Sequence, residues 1–474
     1  MKFKTNLVIG AVFAALLAFV YFYEIKGGEE RKAAAEKSKE LLSFAESAAR
    51  RLVVDRGDTT IVLEKKGGDW ALTAPVEDAA DQAAVERLLQ NLKETERERV
   101  IVDSADAVGK PEIAAPYGLD VPRLGILLET ESGAFDTVAF GNDTPTDRYT
   151  YVQQRGENPE IFVVRAWRFD NLDKGFFDLR DRRVLPFEKE EVEEVRLASA
   201  GGRIVLVREG AEGWSLKEPV EAPATESEVD GLLNRLKNAN AEGFVAEEAD
   251  SESLDEFGLA PITTLEVSLL VGEERAEKRL RIGHAAEEGD YYARDLSSPQ
   301  VFLVDSSLVK GLQKGTDELR NKTPVKFATD EVTRIDIVKA GMSLIAEKDT
   351  ADVWTIVAPE RREAKSWKLN SLLTDLAQIE VEEFAAEKRD DLARFGLEEP
   401  ALRIRLSGAG GELAEALLGE DGSGNLYLML GGAPQVYRID AELLGDLDLE
   451  LDDVAQAPPR EEPATADGAA GEGG

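Results

Sequence analysis

The chain has 474 residues, 43% of them hydrophobic, which is enough for about three domains of ordinary size. Its 57 basic and 94 acidic residues give a formal net charge of −37, which argues against binding to nucleic acid or to anionic lipid headgroups, because both are negatively charged. The absence of cysteine excludes disulfides, thiolate metal sites and a cysteine nucleophile.

The first predicted element is a transmembrane signal anchor at residues 6–23, which follows a short tail at residues 1–5. Its 18 uncharged residues would form a helix of about 27 Å, just long enough to cross a bilayer core. A cleavable signal peptide is the alternative, but residues 19–23 read Phe-Val-Tyr-Phe-Tyr where a cleavage site needs small residues. Positive charges nearly balance on the two sides, so the short tail decides the orientation and favours a cytoplasmic N-terminus. We therefore expect a single-pass protein of the inner membrane whose bulk is extracytoplasmic, or periplasmic.

Residues 24–42 are rich in Ala, Glu and Lys, and this composition predicts a helical spacer between the membrane and the first domain. A coiled-coil dimer is the alternative, but the segment sustains no heptad pattern.

The rest of the chain repeats one pattern of about 140 residues three times. Landmark tryptophans are 144 and 140 residues apart, and two series of glycines keep nearly the same step. The landmarks are Trp70, Trp214 and Trp354; Gly118, Gly258 and Gly396; and Gly141, Gly283 and Gly419. The repetition predicts three homologous domains at residues 43–187, 188–327 and 328–455. Residues 456–474 are Pro-, Gly-, Ala- and Glu-rich, and they predict a disordered acidic tail.

Each repeat has the same predicted order of elements. In the first repeat, a hairpin at 51–64 precedes the tryptophan strand at 70–73, and a helix at 84–92 follows with apolar residues at i, i+3, i+4 and i+7. Four alternating strands between 125 and 164 come next, and a closing helix ends near Leu179. Short, hairpin-like connections predict a mainly antiparallel sheet with two helices in each repeat, which is the α+β class.

Two sets of landmarks suit structural roles better than binding roles. The tryptophans could stack on a ligand, but one strand position in every repeat is more typical of core packing. Within the Tyr/Phe-Gly-Leu segments, glycine would supply a positive φ or a close backbone approach, and leucine would plug the sheet. These segments contain Gly118 and Leu119, Gly258 and Leu259, and Gly396 and Leu397.

The first two repeats close with a Leu-Arg pair and a later Phe: Leu179, Arg180 and Phe187, then Leu319, Arg320 and Phe327. The third repeat ends at 443–454 without that Arg and Phe. This difference predicts that the closing segment packs on the next repeat, because the last repeat has none to contact.

No motif indicates catalysis, a cofactor or a metal site. His284 is the only histidine, so no histidine cluster could hold a metal. Residues 421–425 imitate the start of a calcium loop, but Leu426 and Gly432 stand where an EF-hand needs glycine and glutamate, which favours a hairpin turn. Paired carboxylates for hydrolysis cannot be singled out among 94 acids. Nucleophile elbows, phosphate loops and dinucleotide fingerprints are missing from the sequence.

The repeats follow one string of motifs with small departures: Trp-x-Leu-x-x-Pro-Val, a Leu-Leu-x-x-Leu helix, Phe-Gly-Leu-x-x-Pro and a Leu-Arg pair with a later Phe, the last of which is missing from the third repeat. This string resembles the bacterial domain-of-unknown-function 4340 family, and residues 214–220 and 179–187 match it most closely. The likeness covers residues 1 to about 455, and it departs at the end of the third repeat and at Glu360-Arg361. Members look like envelope proteins whose genes often neighbour a gliding-type ABC transporter. The resemblance implies an accessory of such a transporter and carries over no catalytic residue.

These observations favour a non-catalytic, membrane-anchored accessory or scaffold protein that contacts an ABC permease or another envelope protein. Two alternatives remain open from the sequence: an envelope hydrolase that uses paired carboxylates, and a spacer that binds a polymer or carbohydrate through exposed aromatic residues.

Overall fold

A computed structural model describes Tyr21 and residues 39–156, 159–210, 213–260 and 264–456. The predicted anchor at 6–23 lies outside these residues apart from Tyr21, and the predicted acidic tail lies outside them apart from Gln456. Within the described part of the chain, no helix is both long and apolar enough to span a membrane.

The described residues form three nine-stranded antiparallel sheets with one strand order. In the first sheet, the first strand in sequence pairs with the second and the sixth, so the order is β4-β3-β2-β1-β6-β7-β8-β9-β5. Its strands are β1 Ala49–Asp55, β2 Thr60–Lys66, β3 Asp69–Ala74, β4 Asp78–Ala79, β5 Arg99–Val102, β6 Leu124–Thr130, β7 Phe135–Asp143, β8 Tyr149–Arg155 and β9 Glu160–Arg165.

The other two sheets repeat this order. The second contains β10 Val192–Ser199, β11 Gly202–Arg208, β12 Trp214–Glu218, β13 Ala222–Pro223, β14 Gly243–Ala246, β15 Leu265–Val271, β16 Ala276–Ala285, β17 Tyr291–Asp295 and β18 Val301–Val304. The third contains β19 Arg334–Lys339, β20 Met342–Lys348, β21 Trp354–Ala358, β22 Arg362–Glu363, β23 Val381–Ala386, β24 Leu402–Gly408, β25 Gly411–Glu420, β26 Leu426–Leu430 and β27 Val436–Ile439.

Each repeat has one long helix. In the sequence it follows the two-residue strand at one edge of the sheet and precedes the strand at the opposite edge. In the first repeat, the Asp81 carboxylate caps this helix by accepting a hydrogen bond from the Ala84 N–H at 3.0 Å. The α-helices are α1 Gln82–Glu94, α2 Ser104–Ala107, α3 Ala166–Leu172, α4 Phe176–Leu179, α5 Glu226–Lys237, α6 Ser251–Glu256, α7 Ser306–Leu312, α8 Thr316–Leu319, α9 Ser366–Ala377, α10 Leu443–Leu447 and α11 Leu451–Val454.

Helices cover one face of each sheet. In the first repeat, Val85, Leu88, Leu89 and Leu92 of α1 pack with the inward residues of β1 and β2 in one core. These four residues have the spacing that predicted the helix, and they are all buried because that spacing places them on one side of it. The α+β class with three repeats is therefore confirmed.

The predicted pattern omitted two strands per repeat and merged two helices. The strand β4 has only two residues, and β5 comes after the helix, so neither presents a sustained alternation in the sequence. The single closing helix predicted near Leu179 is two short helices, α3 and α4, which are separated at residues 173–175.

A short segment before the first domain and another before the third pair with the edge of the domain that follows. We call them the lead-in segments, and they lie at 39–44 and 322–327. The Leu41 N–H donates to Thr95 O at 2.8 Å, and the Val381 N–H donates to Lys322 O at 2.8 Å. Leu41 and Leu42 are buried in the first core, and Val325 lies in the third core.

The lead-in segments correct two boundaries. Residues 39–42, predicted as the end of a helical spacer, are not helical and belong to the first domain, because two leucines there need burial. The predicted boundary at 327/328 falls too late, because Val325 and Phe327 pack in the core of the third repeat. The described chain also divides into two compact units whose main break follows Arg183, ahead of the predicted break after Phe187.

Candidate functional site

The landmark tryptophans lie in the cores. Trp70, Trp214 and Trp354 are 5%, 4% and 0% exposed, and each begins or nearly begins the third strand of its sheet. The Trp354 indole N–H donates to the side-chain oxygen Oδ1 of Asn370 at 3.1 Å, so its one polar atom has a partner inside the fold. These side chains are not available to stack on a polymer.

The two glycine series meet each other on the second face of each sheet. Gly118, Gly258 and Gly396 have φ of +71°, +69° and +65°, which favours glycine. A Cβ added to the strand glycine Gly283 would lie 2.0 Å from Phe257 O, and one added to Gly141 would lie 2.2 Å from Tyr117 O. The segments therefore need glycine on both sides of the contact. The leucines that follow are all buried: Leu119, Leu259 and Leu397.

Replacing Gly283 with alanine should destabilise the second repeat by about 2 kcal/mol, because the new methyl group forces a main-chain shift. Gly231, inside α5, has nothing within 4 Å of its added Cβ and is the matched control. Gly231→Ala should instead stabilise the helix by about 0.5–1 kcal/mol. Denaturant titration of both variants gives the comparison, and equal effects would contradict the close-approach interpretation.

The closing arginines are the most buried cations among the described residues. In the first unit, Arg180 Nε donates to Asp78 Oδ2 at 2.6 Å. In the second unit, Arg320 forms a bidentate ion pair with Glu387, in which Nη2 lies 3.1 Å from Oε2. The Arg320 guanidinium also lies 3.6 Å from the centroid of the Phe384 ring.

Arg320 joins the second and third repeats. Its main chain pairs with Ala224 of the second repeat, while its side chain reaches Glu387 just after β23 of the third. A cavity of about 150 Å³ at this junction is bounded by Pro324, Phe384 and Tyr437, among others. The third repeat places Ala455 at the matching position, where it pairs with Ala364. The closing segment of the second repeat thus packs on the third, as the sequence pattern predicted.

His284, the only histidine of the sequence, lies at the glycine contact of the second repeat. It is exposed in β16, where its main-chain N–H donates to Phe257 O at 2.9 Å, and its ring lies beside Gly258. No group of three metal-binding side chains occurs among the residues that the structure describes.

The calcium-like sequence at 421–425 forms a closed hairpin turn. The Asp421 carboxylate accepts hydrogen bonds from the Ser423 and Asn425 N–H groups, the Asn425 side chain and the Tyr427 hydroxyl. These bonds, with the Asn425 side chain as the largest cause, lower the pKa of Asp421 to about 2. Its oxygens therefore hold the turn together.

The lowered pKa makes the turn sensitive to acid. Because the pKa of Asp421 is lower in the folded chain, its contribution to stability is present above pH of about 4 and is lost as the pH falls towards 2. Asp421→Asn should flatten the pH dependence of third-repeat stability over that range. Hydrogen exchange of third-repeat peptides at several pH values measures this effect, with first-repeat peptides as the internal control. An unchanged slope in the variant would contradict the assignment.

A cleft lies at one end of the second sheet, wholly within the second unit. It has a volume of about 500 Å³. Its floor is apolar and its rim is polar, without a carboxylate in the lining. The lining residues are Leu197, Ser199, Gly201, Gly202, Arg203, Ile204, Pro219, Leu265, Leu312, Gln313, Lys314, Gly315 and Thr316.

The sequence reasoning did not find this cleft, which we call the middle-repeat cleft. Pro219 of its lining belongs to the Trp-x-Leu-x-x-Pro-Val string, but a proline at this place occurs in every repeat and does not indicate a cleft. The chemistry of the cleft becomes visible only when the three repeats are compared position by position. Such a comparison was available in the sequence, but it needed the strand register to align the hairpins correctly.

The family comparison follows the repeats. The family model described as "Domain of unknown function (DUF4340)" matches residues 70–217, 214–388 and 354–457. The three matches begin at Trp70, Trp214 and Trp354, the landmark tryptophans of the three repeats. No curated protein and no solved structure matches the chain.

Proposed function

The chain belongs to the DUF4340 family, and on that premise we propose that it is a membrane-anchored extracytoplasmic accessory or scaffold protein without catalytic activity of its own. It would assist an ABC-type transporter or envelope assembly from the outer side of the inner membrane. The Arg320 junction is the observation that carries this proposal. The buried Arg320 cation joins two consecutive repeats. Such a junction is suited to a scaffold, which holds its domains together so that their surfaces can contact other proteins.

The placement of the landmarks supports the same proposal. The tryptophans, glycines, leucines and arginines that recur at one period all serve packing or junctions, so the repeated part of the sequence specifies an architecture. A scaffold needs that architecture more than it needs one reactive cleft.

The hydrolase alternative receives less support. A general acid needs a carboxyl whose pKa is raised. Among the described residues, hydrogen bonds from neighbouring groups lower the pKa of seven carboxyls: Glu94, Asp143, Glu209, Asp250, Asp305, Glu318 and Asp421. The polymer-binding alternative also receives less support, because the three repeated tryptophans are buried in the cores and cannot contact a polymer. Trp367 is exposed.

Crosslinking in intact cells tests the proposal. The full-length chain is crosslinked, extracted in mild detergent and purified, and the attached proteins are identified by mass spectrometry. We expect an ABC permease or another envelope protein that is absent when the anchor at residues 6–23 is replaced by a cleavable signal peptide. Recovery of the chain alone from both preparations would overturn the proposal.

A further inference from the structure

The strand register aligns the first hairpin of every repeat, and one position there differs in chemistry. Val54 pairs with Ile61, Leu197 with Ile204, and Ile337 with Leu344. The residues two positions after Val54, Leu197 and Ile337 therefore correspond. They are Arg56, Ser199 and Lys339.

In the first and third repeats, the cation at this position ties the hairpin to the residue that follows the closing helix. Arg56 Nε lies 2.8 Å from Asp173 Oδ1, directly after α3. Lys339 Nζ lies 2.7 Å from Asp448 Oδ1, directly after α10. In the second repeat, the residue directly after α7 is Gln313, so both charges of the pair are missing.

Other wall positions are also smaller in the second repeat. Thr316 begins α8 where Phe176 begins α4 and Leu451 begins α11, and both of those bulky residues pack against their cores. A Cβ added to Gly175 of the first repeat would lie 3.1 Å from the Arg56 guanidinium. A Cβ added to the corresponding Gly315 would have only the Glu318 side chain within 4 Å.

The result is an opening onto the core. Ile61 and Leu344 are completely buried in their repeats, but the corresponding Ile204 is partly exposed and lines the cleft. Exposing apolar floor costs free energy in water, at roughly 25 cal/mol per Å². An unfilled cleft is therefore a local cost that a bound apolar group would remove.

The charges around the opening favour one sign of ligand. The loss of the ion pair removes one charge of each sign, because Ser199 replaces the cation and Gln313 replaces the carboxylate. The charged residues that remain in the lining are Arg203 and Lys314, and both are cations. Both cations have acidic neighbours: Glu218 lies 3.7 Å from Arg203, and Glu228 and Glu318 lie 3.1 and 3.2 Å from Lys314. The Arg203 pair is long and half-exposed, so an incoming carboxylate competes with it easily.

We propose that the middle-repeat cleft binds a small organic carboxylate with an apolar body, whose apolar part covers Ile204 and Leu265 and whose carboxylate meets Arg203 and Lys314. Its volume falls within the range of small-molecule sites, roughly 300–1,000 Å³. The inference does not depend on the proposed accessory role, because it concerns a cleft inside one repeat.

The test closes the cleft with the pair that the third repeat already uses. Full-length wild-type chain and the Ser199→Lys/Gln313→Asp variant are placed in identical phosphatidylcholine preparations, and labelled octanoate is measured by equilibrium dialysis. We expect wild type to bind about one equivalent more octanoate than the variant, and octanoate to raise the melting temperature of wild type only. The identical lipid cancels octanoate that partitions into the membrane. Equal binding by the two chains would overturn the proposal.

Two further arms keep the outcome decisive. Thr316→Phe copies Phe176 of the first repeat and should also abolish the extra equivalent, so the test survives if the double variant fails to fold. Octanol replaces octanoate in the last arm, and we expect it to bind roughly tenfold more weakly because the charged hydrogen bonds are lost. Equal affinity for octanol would overturn the carboxylate assignment.

Discussion

Replacing Trp354 with alanine should destabilise the third repeat by about 3–5 kcal/mol, because the largest completely buried side chain in the described part of the chain would leave a cavity. The indole also bonds Asn370, and Lys348 lies 5.6 Å from the ring centroid, so the substitution removes a hydrogen bond and a cation–π contact as well. The loss is expected in the third repeat first, since the core cluster around Trp354 contains residues 325–455 only.

Trp367→Ala is the matched control. Trp367 belongs to the same repeat and lies near the start of α9, but its side chain is 68% exposed. We expect a change within about 0.5 kcal/mol, as for surface substitutions in general. Hydrogen exchange of third-repeat peptides across a guanidinium titration reports the local stability without relying on tryptophan fluorescence or on two-state unfolding of the whole chain. Equal losses in the two variants would contradict the core assignment.

The same contrast explains how far the sequence could predict the fold. The helix α9 was predictable because its buried leucines recur with the helical period in the sequence. They are Leu369, Leu372, Leu373 and Leu376. Trp354 could be assigned to a core because it recurs at one step, and recurrence at a strand position reflects packing. The architecture could therefore be predicted from two signals in the sequence: the local period of apolar residues and the repetition of landmarks.

The elements that were missed depend on distant partners. The two-residue strand β22 exists because it pairs with β21 and because Ala455, which follows α11, bridges to Ala364. The lead-in segment at 322–327 looks like the end of the second repeat in sequence, but its burial is decided by the third core. Non-local pairing of this kind leaves no period to read.

The cleft was unpredictable for a different reason. Its signal is the loss of an ion pair that two repeats retain, so Ser199 and Gln313 are informative only beside Arg56 and Asp173. A single-repeat motif search finds ordinary polar residues at those positions. The strand register of the three hairpins shows which residues correspond, and that correspondence shows that the second repeat lacks the ion pair.

Replacing Glu387 with alanine should destabilise the junction of the second and third repeats by about 3 kcal/mol, because the buried Arg320 cation then keeps, as an ion pair, only a 3.8 Å contact with the exposed Asp317 carboxylate. This loss of stability is at the low end for breaking a buried ion pair, because the Glu387 side chain is 42% exposed whereas that of Arg320 is 3% exposed. Hydrogen exchange of peptides covering 319–327 and 381–386 measures the junction directly.

Arg320→Ala should cost less, about 1–2 kcal/mol, although it removes the same ion pair and the contact with Phe384. The exposed Glu387 carboxylate is then hydrated by water, and the third repeat already accepts alanine at this position in Ala455. The double variant should be no less stable than Arg320→Ala alone, because the buried cation that needs the Glu387 carboxylate is gone. If Arg320→Ala proved the more damaging single change, packing of the arginine on Phe384, and not its charge pair, would be what holds the two repeats together.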